Sequence, residues 1–259
     1  MLTEREFISV EELRQRLGAS EATVRRDLTE LEAAGRLRRV RGGAEATSRA
    51  LPRELAGQPA FAAAHARRLR EKRAIARTAV ERIAPGMSII VDGGTTTFAM
   101  VEFLRSVDAR VLTPSFPVAE SLLRYTAVQV VVPGGPIYRE QKLILSALEE
   151  PAIQTYWAQL MFIGAQALRA QGLLQSDPLL VQAQRQLIGR AERLVVLADS
   201  SKFAAHGNLV LCPLQRIHTV ITDERASDGA VQMLERAGVE VVIAGASGDR
   251  KEPRRRGRR

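Results

Sequence analysis

The chain has 259 residues, of which 46% are hydrophobic, and a formal net charge of +9, which suits two domains with a sizeable core. The single cysteine, Cys212, excludes an intramolecular disulfide, and no apolar segment approaches the ~20 residues that span a bilayer. Charged residues interrupt the amino terminus where a signal peptide would need an apolar run. We therefore expect a cytoplasmic protein with no membrane partner.

The positive charge is unevenly distributed along the chain. Residues 1–53 carry +2 and residues 250–259 carry +6, which leaves +1 for the residues between them. The sequence therefore predicts a basic, disordered tail over residues 246–259. Such a tail either adds sequence-independent attraction to nucleic acid or is a solvated end without a role.

The first predicted element is a short helix that begins at a capping box. Ser9 is placed to accept a hydrogen bond from the amide of Glu12, whose side chain can reach back to the amide of Ser9. Gly18 stands where a residue in the left-handed conformation ends a helix. Hydrophobic residues recur on one face of this helix at Val10, Leu13 and Leu17.

A second helix is predicted to begin after Ser20, a candidate N-cap, and to end at Gly35. Its hydrophobic spacing predicts an inward face of Val24, Leu28 and Leu31. The outward face then presents Thr23, Arg25 and Arg26.

A basic strand and a turn follow the second helix. Leu37 and Val40 alternate with arginines at 36, 38, 39 and 41, and Gly42-Gly43 supplies a turn. The whole pattern predicts a winged helix-turn-helix domain over residues 1–53. A helix of this kind fits the major groove of DNA, and the arginines neutralise phosphates. The alternative is a solvated amphipathic helical hairpin that binds no DNA.

The run from Ala22 to Ala44 resembles the DNA-binding signature of DeoR-type bacterial transcriptional regulators. Its Thr-Val-Arg-Arg-Asp-Leu core and closing Gly-Gly-Ala match that signature in order and spacing, while Arg41 stands where the family usually has His. The family usually has a full helix ahead of this region, but only Met1–Ile8 precede Ser9. The resemblance therefore implies either that the chain begins at an internal start or that its first helix is shortened and its DNA-binding domain less stable. The predicted DNA-binding residues are Ser20, Thr23, Arg25, Arg26, Arg38, Arg39 and Arg41.

A linker over residues 54–71 leads to a larger domain over residues 72–245, in which helices and strands alternate. The predicted helices cover residues 72–83, 98–106, 118–123, 180–190 and 229–237. The predicted strands cover residues 88–91, 110–113, 128–132, 160–163, 194–198, 219–222 and 240–243. Continuous apolar strands that alternate with helices indicate an α/β domain with a mostly parallel sheet, covered on both faces.

The loop Asp92-Gly93-Gly94-Thr95-Thr96-Thr97 follows one of these strands. Ligands of parallel sheets bind beyond the carboxyl ends of the strands, and this loop occupies that position. Two glycines let the backbone amides point at an anion, three hydroxyls add donors, and the following helix contributes its positive end. The loop predicts a phosphorylated ligand. The alternative is a simple turn.

Together with Asp199-Ser-Ser-Lys-Phe203, this loop resembles the effector domain of the same family. That domain is similar in fold to ribose-phosphate isomerases, glucosamine-phosphate deaminases and CoA transferases. The resemblance implies that Lys202 faces the phosphate, whereas without it a surface lysine is the simpler interpretation. The predicted effector-binding residues are Asp92, Gly93, Gly94, Thr95, Thr96, Thr97 and Lys202.

The predicted pocket departs from the family pattern at three places. Thr113-Pro114 stands where the family commonly has Thr-Asn, and proline offers no backbone donor. Gln159 stands near the place of a usual Asp, and Leu180–Arg185 replaces an acidic run with Leu and Gln. Because carboxylates and amides usually hold sugar hydroxyls, the ligand is altered, bound more weakly or absent.

These features predict a DNA-binding regulator, a repressor of a sugar-metabolism operon that a phosphorylated sugar or related metabolite controls. We expect a homo-oligomer, a dimer or a tetramer, on operator DNA, with no cofactor and no metal. One alternative is a regulator or scaffold whose pocket has lost its ligand. An isomerase- or deaminase-like enzyme would need a general base, for which Asp92, Asp177 and His206 are available. No second acid matches those enzymes, so we expect no enzymatic activity.

Overall fold

The structure is a computed structural model that describes residues 7–33, 37–40, 42–46, 61–145 and 151–245. The chain divides into two compact units, residues 1–59 and residues 60–259. Gly35, Arg41, the first part of the predicted linker and the whole predicted tail lie outside the described residues.

Among its described residues, the small unit contains two helices and a three-stranded antiparallel sheet. Its elements in chain order are β1 (Phe7–Ser9), α1 (Val10–Leu17), α2 (Glu21–Ala33), β2 (Leu37–Val40) and β3 (Gly43–Ala46). The central strand is β3, which pairs with β1 on one side and with β2 on the other. The buried core consists of Ile8, Leu13, Val24, Leu28 and Ala44. This arrangement confirms the predicted winged helix-turn-helix.

The local determinants of the two helices act as predicted. Ser9 Oγ accepts a hydrogen bond from the backbone amide of Glu12 at 3.1 Å and so begins α1. Gly18 ends α1 in the left-handed conformation, with φ of 63°. Ser20 Oγ accepts from the backbone amide of Thr23 at 3.2 Å. These contacts satisfy amides that a helix amino terminus leaves without partners.

Three features of the small unit differ from the sequence pattern. Leu17 shares a face with Leu13 but is 56% exposed, because the buried core covers only part of α1. Of the segment before Ser9, residues 1–6 lie outside the described residues, and Phe7–Ser9 form a strand, since pairing with β3 covers an edge that would otherwise be open. Gly43 belongs to β3, opposite Val40, and Gly42 alone of the two glycines lies in the turn, with φ of 88°.

The large unit contains seven helices and twelve strands among its described residues. The helices are α3 (Phe61–Ala66), α4 (Leu69–Val80), α5 (Thr95–Phe98), α6 (Phe116–Tyr125), α7 (Pro151–Thr155), α8 (Pro178–Ile188) and α9 (Asp228–Arg236). The strands are β4 (Met87–Val91), β5 (Ala109–Leu112), β6 (Gln129–Val131), β7 (Ile137–Tyr138), β8 (Leu143–Ile144), β9 (Ala158–Gly164), β10 (Ala167–Arg169), β11 (Gly172–Gln175), β12 (Ala191–Leu197), β13 (Leu209–Cys212), β14 (Thr219–Asp223) and β15 (Glu240–Ala244).

A parallel seven-stranded sheet forms the centre of the large unit. Its strand order is β15-β14-β12-β9-β4-β5-β6, and every neighbouring pair is parallel. Beside it lie an antiparallel sheet, β10-β11-β13, and the hairpin β7-β8. The predicted α/β class with a mostly parallel sheet is confirmed.

Alternate residues of β4 face opposite sides of the sheet, which explains its continuous apolar sequence. Ile89 and Val91 pack in one hydrophobic core with α4, and Ile90 packs in a second core with α8 and α9. Because helices cover both faces, Ile89, Ile90 and Val91 are all fully buried, while Met87 and Ser88 at the start of the strand are half-buried.

The predicted boundaries of these seven strands, and of α4, α6, α8 and α9, agree with the structure to within three residues. The helix predicted over residues 98–106 is wrong in form. It begins at Thr95 as α5 and continues as two 3₁₀ turns, Ala99–Glu102 and Leu104–Ser106. Residues 61–66, in the predicted linker, form α3. No helix in the described part of the chain is long and apolar enough to cross a membrane.

Candidate DNA-binding and effector-binding sites

The outward face of α2 carries the predicted DNA-binding side chains. Thr23, Arg25 and Arg26 are exposed, and the hydroxyls of Ser20 and Thr23 lie 2.8 Å apart at the amino end of the helix. Two acidic residues on the same helix pair with the arginines. Arg25 Nε donates to Glu21 Oε1 at 2.8 Å, and Arg26 Nε lies 3.7 Å from Glu30 Oε1. Both pairs are exposed, so the guanidinium groups can exchange these partners for phosphate oxygens.

The wing is built by β2 and β3. Arg38 and Arg39 lie in β2, opposite Glu45 and Ala44 in β3, whereas Arg41 lies outside the described residues. The carbonyl of Gly42 accepts a hydrogen bond from the amide of Val10, the first residue of α1, at 2.9 Å. This contact fixes the wing turn against the helical part of the unit.

The loop from Asp92 to Thr97 begins at the carboxyl end of β4, as predicted. The amide of Asp92 donates to the carbonyl of Phe162 in β9 at 2.9 Å. Gly94, with φ of 144°, precedes α5 and its carbonyl accepts from the hydroxyl of Thr97 at 3.0 Å. Thr96 and Thr97 are buried, and Thr95 is half-buried. The loop therefore holds its shape with the Thr97 hydroxyl, while Thr95 is the most accessible of the three threonines.

Asp92 is fully buried and is held by a side chain outside the predicted effector-binding residues. Gln184 Nε2, on α8, donates to Asp92 Oδ2 at 2.7 Å. Burial raises the pKa of the Asp92 carboxyl to about 6, and the hydrogen bonds from Gln184 and Gly93 oppose that rise. In the sequence, Gln184 is notable only as one of the residues that replace the acidic run usual in the family. Nothing in the spacing of residues 92 and 184 indicates that α8 reaches β4.

Leu143, in the β7-β8 hairpin, lies directly on Gly93. A Cβ atom at Gly93 would be 2.1 Å from Leu143 Cδ2. Backbone hydrogen bonds attach the hairpin to the β5-α6 connection. The amide of Ile144 donates to the carbonyl of Pro114 at 2.8 Å, and the amide of Phe116 donates to the carbonyl of Lys142 at 3.0 Å. No pattern in the sequence indicates this contact, because the two residues are far apart in the chain and β7 and β8 have only two residues each.

Lys202 lies at the same edge of the sheet but apart from the loop. It follows β12, which is two strands from β4 with β9 between them, so the two strand ends are about 10 Å apart. Its immediate surroundings are charged. Asp199 is buried and Arg68 Nε lies 3.7 Å from its carboxylate. Burial lowers the pKa of the nearby Lys72, while Asp199 opposes that shift and Lys202 adds to it.

The residues that depart from the family pattern fall at different places. Gln159 lies at the opposite end of the sheet, where its Oε1 accepts from the amide of Ser88 at 2.8 Å, so the expectation that it bears on the pocket is wrong. Thr113 is buried and its hydroxyl accepts from the amide of Ser115 at 3.1 Å. Asp177 caps α8 and accepts from Tyr138 Oη at 2.8 Å.

The described residues contain no group of three or more His, Cys, Asp and Glu side chains that could hold a metal ion. Asp177, named above as a candidate base, already receives hydrogen bonds from Tyr138 and from two amides of α8. Of these two candidate carboxyl groups, Asp92 is the one that lies at the loop.

A winged helix-turn-helix joined to a parallel α/β unit defines a two-domain class of transcriptional regulator. Two family models match this chain: the DeoR-like helix-turn-helix domain over residues 1–50 and the DeoR C terminal sensor domain over residues 67–224. The chain belongs to the DeoR family of transcriptional regulators.

Similar proteins include the HTH-type transcriptional regulator UlaR of Shigella dysenteriae serotype 1 and that of Escherichia coli K12. Each is 31% identical over 244 residues, which cover 93% of this chain and 94% of the relative. These relatives are transcriptional regulators.

Among solved structures, ribose 5-phosphate isomerase A from Methanocaldococcus jannaschii has 19% identity and a TM-score of 0.38, and eIF2B beta from Chaetomium thermophilum has 15% identity and a TM-score of 0.42. The matches cover 51% and 59% of this chain, and this chain spans only about half of each of those proteins, 52% and 48%.

Proposed function

We propose that this protein is a repressor that binds operator DNA through residues 1–53 and responds to a phosphorylated sugar or related metabolite bound by residues 72–245. The observation that carries the proposal is the glycine-rich Asp92–Thr97 loop at the carboxyl edge of the parallel sheet, in a chain that also contains a winged helix-turn-helix. The protein acts as a homo-oligomer, because operators are usually read by symmetric proteins. It acts in the cytoplasm.

In this proposal α2 enters the major groove with its amino-terminal end first. Ser20 and Thr23 then approach base edges or flanking phosphates, and Arg25 and Arg26 exchange their glutamate partners for DNA. Arg38, Arg39 and Arg41 of the wing contact the backbone. Support comes from the exposure of the α2 side chains and from the Val10–Gly42 hydrogen bond that fixes the wing turn.

The phosphate of the effector binds at Gly93, Gly94 and Thr95, where backbone amides and the start of α5 offer donors. Thr96 and Thr97 shape the loop from its buried side, and Asp92 anchors the loop. Lys202 supplies a cation from the end of β12, two strands away in the sheet. We propose a binding site and not an enzyme, because Asp177 is occupied as a helix cap and no second carboxyl group is paired with Asp92 among the described residues.

One contact favours a second function, that of a regulator whose pocket has lost its ligand. Leu143 occupies the space above Gly93, as expected of a pocket that no longer admits a ligand. The two functions differ in whether a small molecule changes DNA binding.

Fluorescence anisotropy with the DNA upstream of this protein's own gene tests the proposal. The titration is run at two salt concentrations, with a scrambled duplex as control, and with a panel of pentose and hexose phosphates. Specific binding that one compound weakens supports the effector-controlled repressor. Specific binding that every compound leaves unchanged supports the ligand-free regulator. Equal binding to both duplexes contradicts the assignment of α2 as a sequence reader.

A further inference from the structure

Gln184 is a buried polar side chain with one end satisfied and the other end free. It is 7% exposed, and its Nε2 donates to Asp92 Oδ2 at 2.7 Å. Its Oε1 is buried and has no hydrogen-bond partner among the described residues. We infer that Gln184 is a specificity-determining residue that accepts a hydrogen bond from a hydroxyl group of the effector through Oε1. The inference rests on the proposed function of the Asp92–Thr97 loop.

The orientation of the amide follows from its partner. A carboxylate can only accept hydrogen bonds, so the NH₂ group of Gln184 faces Asp92 and the carbonyl oxygen faces away from it. Because Asp92 is itself fixed to β9 through its amide, the direction of Oε1 is set before any ligand binds. A preorganised acceptor of this kind selects ligands by geometry as well as by chemistry.

A buried acceptor without a partner costs free energy, and native proteins keep few of them. A ligand donor that reaches Oε1 removes this cost, whereas a ligand that places an ether or carbonyl oxygen there leaves it in place. This asymmetry lets sites built to bind a hydroxyl reject analogues that lack it.

The chemistry of the site favours a hydroxyl over a charged donor. Gln184 is neutral and buried, and burying an ammonium group beside a neutral amide costs more than burying a hydroxyl. The phosphate loop begins one residue after Asp92, so the hydroxyl read by Gln184 belongs to the same small molecule as the anion. The ligand class is therefore a phosphorylated polyol with a free hydroxyl near its phosphate-bearing end.

Access to this edge involves Leu143, which lies against Gly93 beside the Asp92–Gln184 pair. Oε1 is buried in the structure, so a hydroxyl reaches it only after a covering side chain has moved, and Leu143 is the side chain that lies on the adjacent loop residue Gly93. We expect ligand binding to be slower than diffusion for this reason.

The test measures ligand affinity of the full-length protein by isothermal titration calorimetry. The probes are inorganic phosphate, ribose 5-phosphate, glucose 6-phosphate, fructose 6-phosphate and glucosamine 6-phosphate, followed by each monodeoxy form of the tightest sugar phosphate. The variant is Gln184→Met, which keeps side-chain length but has no hydrogen-bonding amide. The matched control is Gln182→Met, an exposed position on the same helix.

We expect one monodeoxy form to bind the wild type about tenfold more weakly than its parent sugar phosphate. Gln184→Met should bring that ratio close to one, and Gln182→Met should keep the wild-type ratio. A ratio that survives in Gln184→Met overturns the inference and leaves the proposed function intact. If no monodeoxy form binds the wild type more weakly, or if glucosamine 6-phosphate binds most tightly, the inference is also wrong.

Failure of the proposed function gives a different result. If neither inorganic phosphate nor any sugar phosphate binds the wild type, the loop is not a phosphate site and both conclusions fall together. The wild-type comparison of parent and monodeoxy compounds needs no variant, so the inference can be overturned even where Gln184→Met does not fold.

Discussion

Gly93 and Leu143 are in such close contact that a side chain at position 93 would force Leu143 to shift. A Cβ atom there would lie 2.1 Å from Leu143 Cδ2, and Leu143 is 6% exposed. The missing side chain at 93 thus lets a residue of the β7-β8 hairpin cover the first turn of the proposed phosphate loop. The contact therefore packs the hairpin on the loop and covers the proposed site at Gly93.

We expect Gly93→Ala to destabilise the protein by roughly 1–3 kcal/mol through overpacking, and Leu143→Ala to cost roughly 2–5 kcal/mol through the cavity that it leaves. The double variant should be more stable than the sum of these costs predicts, because the shorter side chain at 143 makes room for the new methyl group. Urea unfolding of all three variants measures this coupling.

Gly229→Ala is the control for the glycine substitution, since nothing lies within 4 Å of a Cβ atom at that position. Its stability should equal or exceed that of the wild type. Strictly additive effects of the Gly93 and Leu143 substitutions would show that the close contact does not restrict position 93.

Arg25→Ala and Arg26→Ala should each weaken operator binding by roughly tenfold or more, because each removes an exposed guanidinium from the outward face of α2. Where the lost contact is to a phosphate, the slope of log affinity against log salt should fall by about one. Arg14→Ala removes an arginine that is paired in the same way with Glu11 on α1 and serves as the control. Unchanged affinity and slope in both α2 variants would remove α2 from the DNA interface.

Asp92→Asn should change how stability depends on pH. Burial raises the folded-state pKa of Asp92 to about 6 from an ordinary value of 3.8, so between these values the folded state binds more protons than the unfolded state. The stability of the wild type therefore falls as the pH rises from about 4 to about 6, and that cost persists above pH 6. Asparagine cannot ionise, so the variant should gain roughly 1–3 kcal/mol on the wild type across this window.

Urea unfolding at pH 4, 5, 6 and 7 measures that gain. Asp108→Asn, at an exposed carboxyl group, controls for the loss of an acidic side chain. A difference between Asp92→Asn and the wild type that stays constant across all four pH values would mean that Asp92 ionises in the fold as it does in the unfolded chain.

Lys202→Ala should abolish the response of DNA binding to a sugar phosphate and leave operator affinity unchanged. The lysine lies at the carboxyl edge of the sheet, near Asp199, where it can attract a phosphate, and it belongs to the large unit and not to the helix-turn-helix unit. Thr96→Val should act in the same direction by altering the buried side of the loop. The control is Arg193→Ala, which removes an exposed cation near the opposite end of β12, the strand that precedes Lys202. A Lys202→Ala protein that releases DNA at the wild-type concentration of sugar phosphate would contradict the role of Lys202.

Local features of the sequence predicted most of the framework. Ser9 and Ser20 begin helices through hydrogen bonds to amides three residues away, and Gly18 ends a helix through its left-handed conformation. Strands such as β4 are recognisable from continuous apolar residues. The features that could not be predicted from the sequence are contacts between residues far apart in the chain. The pairing of β1 with β3, the contact of Leu143 with Gly93 and the hydrogen bond between Gln184 and Asp92 each join residues that no local pattern connects. The candidate site was therefore predicted as a loop, and its covering residue and its buried amide became visible only in the fold.

The central claim is that one chain couples a sugar-phosphate site to a DNA site, and coupling of this kind is reciprocal. The measurement is the affinity of the full-length protein for the tightest sugar phosphate, by calorimetry, without DNA and with saturating operator duplex. We predict that operator DNA weakens sugar-phosphate binding by the same factor by which the sugar phosphate weakens operator binding, roughly 5- to 150-fold. The same sugar-phosphate affinity with and without operator would contradict an effector-controlled repressor.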